Sequence, residues 1–402
     1  MEFPTYPEAR DALLRRVRPV GTETVPLDAS LGRILAEDLI AAENIPGFDR
    51  TAYDGYAFRA EDLAAAGRET PVTLRVTEEI PAGATPTAEV TPGTCAKVLT
   101  GAPIPPGADT VINYEVTEFT DEAVTFFAPV ARGSNVVRAG EDVRKGAVLA
   151  RRGDAIDPGT VGTLAAQGVT QPAVFRRPRV AVLSTGSELV DAAETPGPGQ
   201  IRNTNAHTLS AALRRIGAEP VYLGIAVDTV EGIAALLEQG LRGCDAVIST
   251  GGVSVGDYDL TPDAMTRCGV ETLVRGVALK PGMACAYGVR DGKLVCGLSG
   301  NPASCVVNFY TVVLPALRAL CGHRAPVPEE ITLTLAGGFK KPSPVTRVLR
   351  GSLDLRDGTA RFLPTRQGNV VLSSTIGCDV YAIIPGGSGP LPDGTKLKGF
   401  LL

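Results

Sequence analysis

The sequence predicts a multidomain fold of the α/β-plus-β class, and three observations carry that reading. Its 402 residues suit two to three domains at about 150 residues each. From Arg179 onward, short apolar runs alternate with helix-period runs, the pattern of a parallel sheet covered on both faces. Before and after that stretch the texture is β-rich and punctuated by Gly and Pro. Four domains follow: an N-terminal helical linking domain over residues 1–45 with 143–176, a small β-rich second domain over 46–142, a parallel α/β domain over 177–326, and a C-terminal β-barrel domain over 327–402.

Local signals justify each element in turn. Thr5-x-x-Glu8 is a capping box ahead of an apolar-periodic run through Leu13, Leu14 and Val17. Residues 28–35 read as a second short helix. Strand-type runs begin at Val72, Thr94, Thr110 and Val124. In the α/β stretch, runs starting at Val180, Glu219, Asp245 and Leu294 read as strands. Residues 205–216, 230–241 and 303–320 read as helices. Beyond Val327, Ile331-Thr-Leu-Thr-Leu335 alternates at period two, and Asp357-Gly358 marks a hairpin.

Composition narrows the function. With 39 basic against 44 acidic residues the net charge is −5, which lacks the basic excess of a general nucleic-acid binder. The 46 Gly and 31 Pro fall short of the ~25–30% that marks a low-complexity chain. Eight cysteines form no C-x-x-C pair, so buried free thiols in a reducing cytosol are expected. Two histidines, His207 and His323, leave little scope for His-based catalysis. Met1-Glu2-Phe3-Pro4 has neither the basic nor the apolar region of a signal peptide, and a cytoplasmic protein is expected. Residues 294–317 carry no charge, but Gly297, Ser299, Gly300, Asn301, Pro302 and Asn308 favour a strand, a turn and a buried helix over a membrane span.

Chemistry concentrates where strands end. Ser184-Thr-Gly-Ser-Glu188, Ser249-Thr-Gly-Gly-Val-Ser254 and Ser299-Gly-Asn-Pro302 each follow an apolar strand. In an open parallel sheet, ligands sit beyond the carboxyl ends of the strands. Glycines there let backbone N–H groups approach an anion, and the following helix N-terminus adds its dipole. The carboxylates Glu188, Asp228, Asp257 and Asp259 accompany these turns. Carboxylates beside anion cradles point to metal-assisted phosphate chemistry with a hard cation.

These motifs, with Tyr53-Asp-Gly-Tyr-Ala57, Leu99-Thr-Gly-Ala-Pro103, Gly140-Glu-Asp-Val143, Gly199-Gln-Ile-Arg-Asn-Thr-Asn205, Lys280-Pro-Gly282 and Arg350-Gly351, span nearly the whole chain. The sequence resembles the molybdopterin molybdenumtransferase family, the molybdenum insertases of the MoeA and gephyrin E-domain type. The resemblance implies that molybdate is inserted into adenylylated molybdopterin, with Mg²⁺ assisting and AMP released. It implies catalytic roles for Glu188, Asp228, Asp259, Asp54 and Asp142, with Glu188, Asp228 and Asp259 also as metal ligands. It implies substrate binding by Thr100, Ser184, Thr185, Gly186, Ser187, Gly251, Gly252, Ser254, Lys280, Gly300, Asn301, Pro302 and Arg350. An elongated homodimer is implied, with an adenylyltransferase as supplier of substrate and neither nucleic acid nor membrane as partner.

Three positions depart from the family pattern. Gly276 stands four residues before Lys280 where a basic residue is common, Ser299 where Pro is usual, and Asn369 where Ser is common. Gly276 therefore reads as a lost oxyanion contact. Two alternatives stay open: a molybdopterin adenylyltransferase or other nucleotide-processing enzyme on the same α/β fold, and a non-catalytic molybdopterin-binding scaffold.

Overall fold

The computed structural model describes residues 3–253, 260–356 and 358–402. It divides into two units. The first comprises Met1–Glu37, Arg152–Pro158 and Gln171–Leu402; the second comprises Asp38–Arg151 and Gly159–Thr170.

The first unit opens with helix α1 (Tyr6–Leu14), whose capping box is formed from both sides: Thr5 takes the Glu8 N–H, and Glu8 takes the Thr5 N–H. The short helix expected at 28–35 is a correction. Only one 3₁₀ turn, Leu27–Ala29, forms there. Gly32, at φ +72°, turns the chain out, and Ile34 and Leu35 bridge to Ala155 and Val174 instead.

Six strands build the α/β sheet: β1 (Arg179–Thr185), β2 (Glu219–Ala226), β3 (Ala246–Thr250), β4 (Glu271–Arg275), β5 (Cys285–Arg290) and β6 (Lys293–Leu298). Their order is β2-β1-β3-β6-β5-β4, with β2, β1, β3 and β6 parallel and the β5 and β4 pairings antiparallel. The order reverses at β1, so the crevice beyond β1 and β3 is the topological switch point. Helices α2 (Asn205–Arg215), α3 (Val230–Gly243), α4 (Leu260–Arg267) and α5 (Pro302–Leu320) cover the sheet. Leu209, Leu213 and the α5 residues Phe309 and Val313 pack one face, where Leu13 of α1 joins them; Ile233, Leu237 and Met265 pack the other. Each such side chain contributes roughly 1.5–3 kcal/mol when fully buried. The apolar helix α5 is a core helix, 83% buried over its most apolar window. Pro315 lacks an N–H and its ring crowds the carbonyl four residues back; the backbone widens to a π-turn over Phe309–Val313 to accommodate it.

The C-terminal strands β7 (Ile331–Leu335), β8 (Thr346–Asp354), β9 (Arg361–Pro364), β10 (Val380–Ile384) and β11 (Lys396–Leu401) close into a five-strand barrel, because β8 pairs with both β9 and β10. Leu333, Leu349, Phe362 and Ala382 fill its interior. The alternate positions Val348, Tyr381, Ile383 and Phe400 join the α/β core. A two-residue strand, Leu279–Lys280, adds to β8 in parallel and ties the barrel to the α/β domain.

The second unit contains a six-stranded sheet in the order Thr110–Asn113, Gly55–Phe58, Thr94–Val98, Val72–Ile80, Ala123–Phe126 and Glu118–Phe119. Tyr56, Phe58, Leu74 and Phe126 pack one face of it, and Ala57, Ile80, Val98 and Val111 the other.

Candidate functional site

The three strand-end turns of the α/β domain come together. At the end of β1, Ser184 Oγ lies 2.9 Å from Thr250 Oγ1 of β3 and donates to Asn203 Oδ1 at 3.2 Å. The Gly251 N–H donates to the Leu298 carbonyl of β6 at 3.0 Å. A Cβ on Gly300 would sit 3.6 Å from Gly251 Cα, and Asn205 Nδ2 holds the Gly300 carbonyl at 2.8 Å. Gly251 itself is obligatory: its φ is +97°, and a Cβ would lie 2.2 Å from the Thr185 carbonyl oxygen. Ser187 is exposed on the first turn, while Gly252 sits on the second and Asn301 and Pro302 open α5.

Two of the expected carboxylates flank these turns. Asp228 lies two residues beyond Ala226, the partner of Thr185 across the ladder, and accepts a hydrogen bond from Thr185 Oγ1 at 2.9 Å. The Glu188 carboxylate folds back over Gly186, where its oxygens would lie 2.6 and 2.7 Å from any added Cβ. Both side chains are exposed oxygen donors, the kind a hard divalent cation takes. Among the described residues no three His, Cys, Asp or Glu side chains come together. Ser254, Asp257 and Asp259 lie outside the described residues.

On the barrel side of the same unit lies a cationic cleft of about 220 Å³, lined by Lys280, Lys341, Arg347, Arg350, Gln367 and Asn369. Through Lys280, Pro281 and Asn369 it continues into a cavity of about 270 Å³ that includes Ser299, Asn301 and Ser304. Arg350 is 0% exposed. Its Nε donates to Ser374 Oγ at 2.9 Å and its Nη2 to the Gly368 carbonyl at 3.0 Å, while Nη1 has no partner. Burial holds the guanidinium below the usual arginine range, yet it remains a cation. Among the described residues, none of the four cations has a carboxylate within 4 Å. A buried charge without a counter-ion is costly, and an orphaned N–H on it marks where an anion belongs.

In the second unit, Asp54 Oδ1 accepts from both the Thr100 N–H and the Thr100 hydroxyl, each at 2.6 Å. These two bonds hold the carboxyl below the usual aspartate range. Gly55 follows because a Cβ there would sit 1.9 Å from the Ile112 carbonyl oxygen. Asp142 is exposed on a turn whose N–H groups return to Ile45 and Pro46.

Lys341, Arg347 and Ser374 escaped the sequence reading. One signal was present: between Glu330 and Asp354 the chain carries Lys340, Lys341, Arg347 and Arg350 and no acidic residue. The reading of Gly276 as a lost oxyanion contact is corrected. Gly276 has φ +75°, and a Cβ on it would lie 2.4 Å from the Phe3 ring, so it faces packed aromatic surface. All eight cysteines are free, and burial pushes the Cys285, Cys296 and Cys305 thiols up to about 12.

A doubly wound sheet with carboxylates on its strand-end turns, joined to a barrel that supplies cations without carboxylate partners, is an arrangement suited to phosphate- or oxyanion-bearing ligands. Residues 5–168 match the MoeA N-terminal region (domains I and II), and residues 181–319 match a probable molybdopterin binding domain. The molybdopterin molybdenumtransferase of Bacillus subtilis is 36% identical over 95% of this chain and 90% of its own. That of Staphylococcus aureus is 34% identical over 95% of this chain and 91% of its own. The crystal structure of a molybdopterin biosynthesis MoeA protein from Pyrococcus horikoshii superposes with a TM-score of 0.87 at 32% identity, covering 100% of both chains. The chain belongs to the molybdopterin molybdenumtransferase family, transferases of molybdenum cofactor biosynthesis.

Proposed function

We propose that this chain inserts molybdate into adenylylated molybdopterin and releases AMP. The observation that carries the reading is the buried, counter-ion-free Arg350, set in a cleft with Lys280, Lys341 and Arg347. Such a cleft attracts a tetrahedral oxyanion and holds it by charge-assisted hydrogen bonds. The pterin ligand's phosphates lie against the glycine turns at Thr185–Ser187, Gly251–Gly252 and Gly300–Pro302, where N–H groups and the start of α5 favour negative charge. Glu188 and Asp228 would hold Mg²⁺, together with Asp259, and the ion would neutralise phosphate charge as the adenylate bond is cleaved. Asp54, whose carboxyl Thr100 holds below the usual aspartate range, and Asp142 are further candidates for catalytic roles.

A homodimer that receives its substrate from an adenylyltransferase completes the reading. The alternative of a stand-alone adenylyltransferase does not account for a family match that begins at residue 5 and relatives that cover 95% of the chain. The deciding experiment incubates the purified protein with adenylylated molybdopterin, Mg²⁺ and molybdate. AMP release in step with molybdenum-loaded cofactor is expected. Adenylylation of molybdopterin from ATP without molybdenum insertion would establish the alternative enzyme, and binding without turnover would establish a scaffold.

A further inference from the structure

We propose that the segment Asn203–Asn205, at the start of α2, positions all three strand-end turns for the ligand, with Asn203 and Asn205 as its positioning residues; this rests on the function proposed above, which sets the ligand's phosphates against those turns.

Both side chains are buried, at 2% and 7% exposure, and they reach different turns. Asn203 Oδ1 accepts from Ser184 Oγ at 3.2 Å and from the Ala206 N–H at 3.4 Å, and its Nδ2 donates to the Tyr222 hydroxyl at 3.1 Å. The Ala206 N–H can only donate, so it fixes which end of the amide is oxygen. Ser184 then spends its one proton on Asn203, and in its 2.9 Å contact with Thr250 the donor is Thr250. A directed chain of hydroxyls thus runs from the end of β3, through the end of β1, to Asn203. Its outer end is anchored too, because the Tyr222 hydroxyl on β2 donates to Asp191 Oδ1 at 2.9 Å.

Asn205 serves the third turn, where its Nδ2 donates to the Gly300 carbonyl at 2.8 Å. The backbone just before it ties in the acidic side: the Ile201 N–H donates to the Glu188 carbonyl at 2.8 Å, and the Asn203 N–H to the Val190 carbonyl at 2.8 Å. Capping α2 would not require this. Thr204 makes no side-chain cap, and the Ala206 bond that replaces it uses one acceptor of Asn203. The rest of that amide is spent on β1 and β2. Backbone cradles bind a phosphate only when their N–H groups converge, so turns held from one segment keep the spacing that binding needs.

The test follows AMP release from adenylylated molybdopterin with Mg²⁺ and molybdate. Asn203→Ala and Asn205→Ala should each raise the KM for the adenylylated pterin about three- to tenfold, the worth of one hydrogen bond, with kcat within about twofold of wild type. A residue needed only for the fold would lower the active fraction, and so the apparent kcat, with KM unchanged. In Asn203→Ala the KM for molybdate should stay at the wild-type value. Tyr222→Phe keeps the ring but frees one end of the Asn203 amide. It should raise the pterin KM about twofold at an unchanged unfolding temperature, and it decides the matter if Asn203→Ala does not fold. Wild-type KM in these variants, or a fall in kcat alone, overturns the proposal. A wild-type protein that neither turns over the adenylylated pterin nor binds it by calorimetry overturns the proposed function, and this inference with it.

Discussion

At the strand-end turns, Glu188 and Asp228 are exposed and local: the Glu188 carboxylate lies over Gly186, two residues away, and Asp228 accepts from a hydroxyl one strand over. In the cationic cleft, Arg350 is fully buried and held by Ser374 and Gly368, while Lys280 reaches the cleft only because its segment pairs with β8. The acidic rim can therefore lose its charge with little effect on the fold. The basic cleft keeps an uncompensated charge inside the protein, at a cost in stability that only an incoming anion relieves.

Breaking the basic side should have the largest effect. Arg350→Met is expected to reduce molybdate-dependent AMP release at least about 100-fold, the loss of one or two charge-assisted contacts. Replacing a buried unpaired charge by an apolar chain of similar length should leave the unfolding free energy unchanged or raise it by about 1 kcal/mol. Urea denaturation checks this: a fall of more than about 2 kcal/mol would mean that Arg350 is retained for the fold. On the acidic side, Glu188→Gln should nearly abolish turnover and raise the Mg²⁺ concentration needed for half-maximal rate, with an unchanged melting temperature. Wild-type turnover in that variant would remove Glu188 from the site.

Two smaller effects sharpen the contrast. Gly276→Lys should destabilise the protein by about 2 kcal/mol, because a left-handed backbone and the Phe3 ring both oppose a side chain there. It should leave the molybdate requirement of the folded fraction unchanged, and a lowered requirement would restore Gly276 to the anion site. Thr100→Val removes the hydroxyl that holds Asp54 below its usual range, so the Asp54 carboxyl should titrate at higher pH by NMR. The wild type gains stability from this bond above the ordinary aspartate range and loses it as pH falls through the lowered folded value. Any gap in melting temperature between the two proteins should accordingly close in acid.

What could be read from the sequence follows the same division. The turns at Thr185, Gly251 and Gly300 were legible because a strand ending in small polar residues is a local pattern, and the parallel sheet brings such ends together. Alternation at Ile331 likewise revealed the barrel strands. The cleft was only half legible: Lys280 and Arg350 entered through the family resemblance, while Lys341 and Arg347 depend on the pairing of Leu279–Lys280 with Thr346–Arg347, which no local period encodes. The short helix read at residues 28–35 failed for a reason visible only in three dimensions, since Gly32 bends the chain so that Ile34 and Leu35 can bridge to distant segments. Gly276 misled in the same way, as its neighbour Phe3 lies more than 270 residues away in sequence.

The parallel docking of Leu279–Lys280 on β8 also fixes how this lysine will behave as the protein warms. Its backbone is docked on a closed ladder, so the segment should leave its place beside the cleft only when the barrel edge opens. Thermal inactivation would then track barrel opening and precede melting of the α/β sheet.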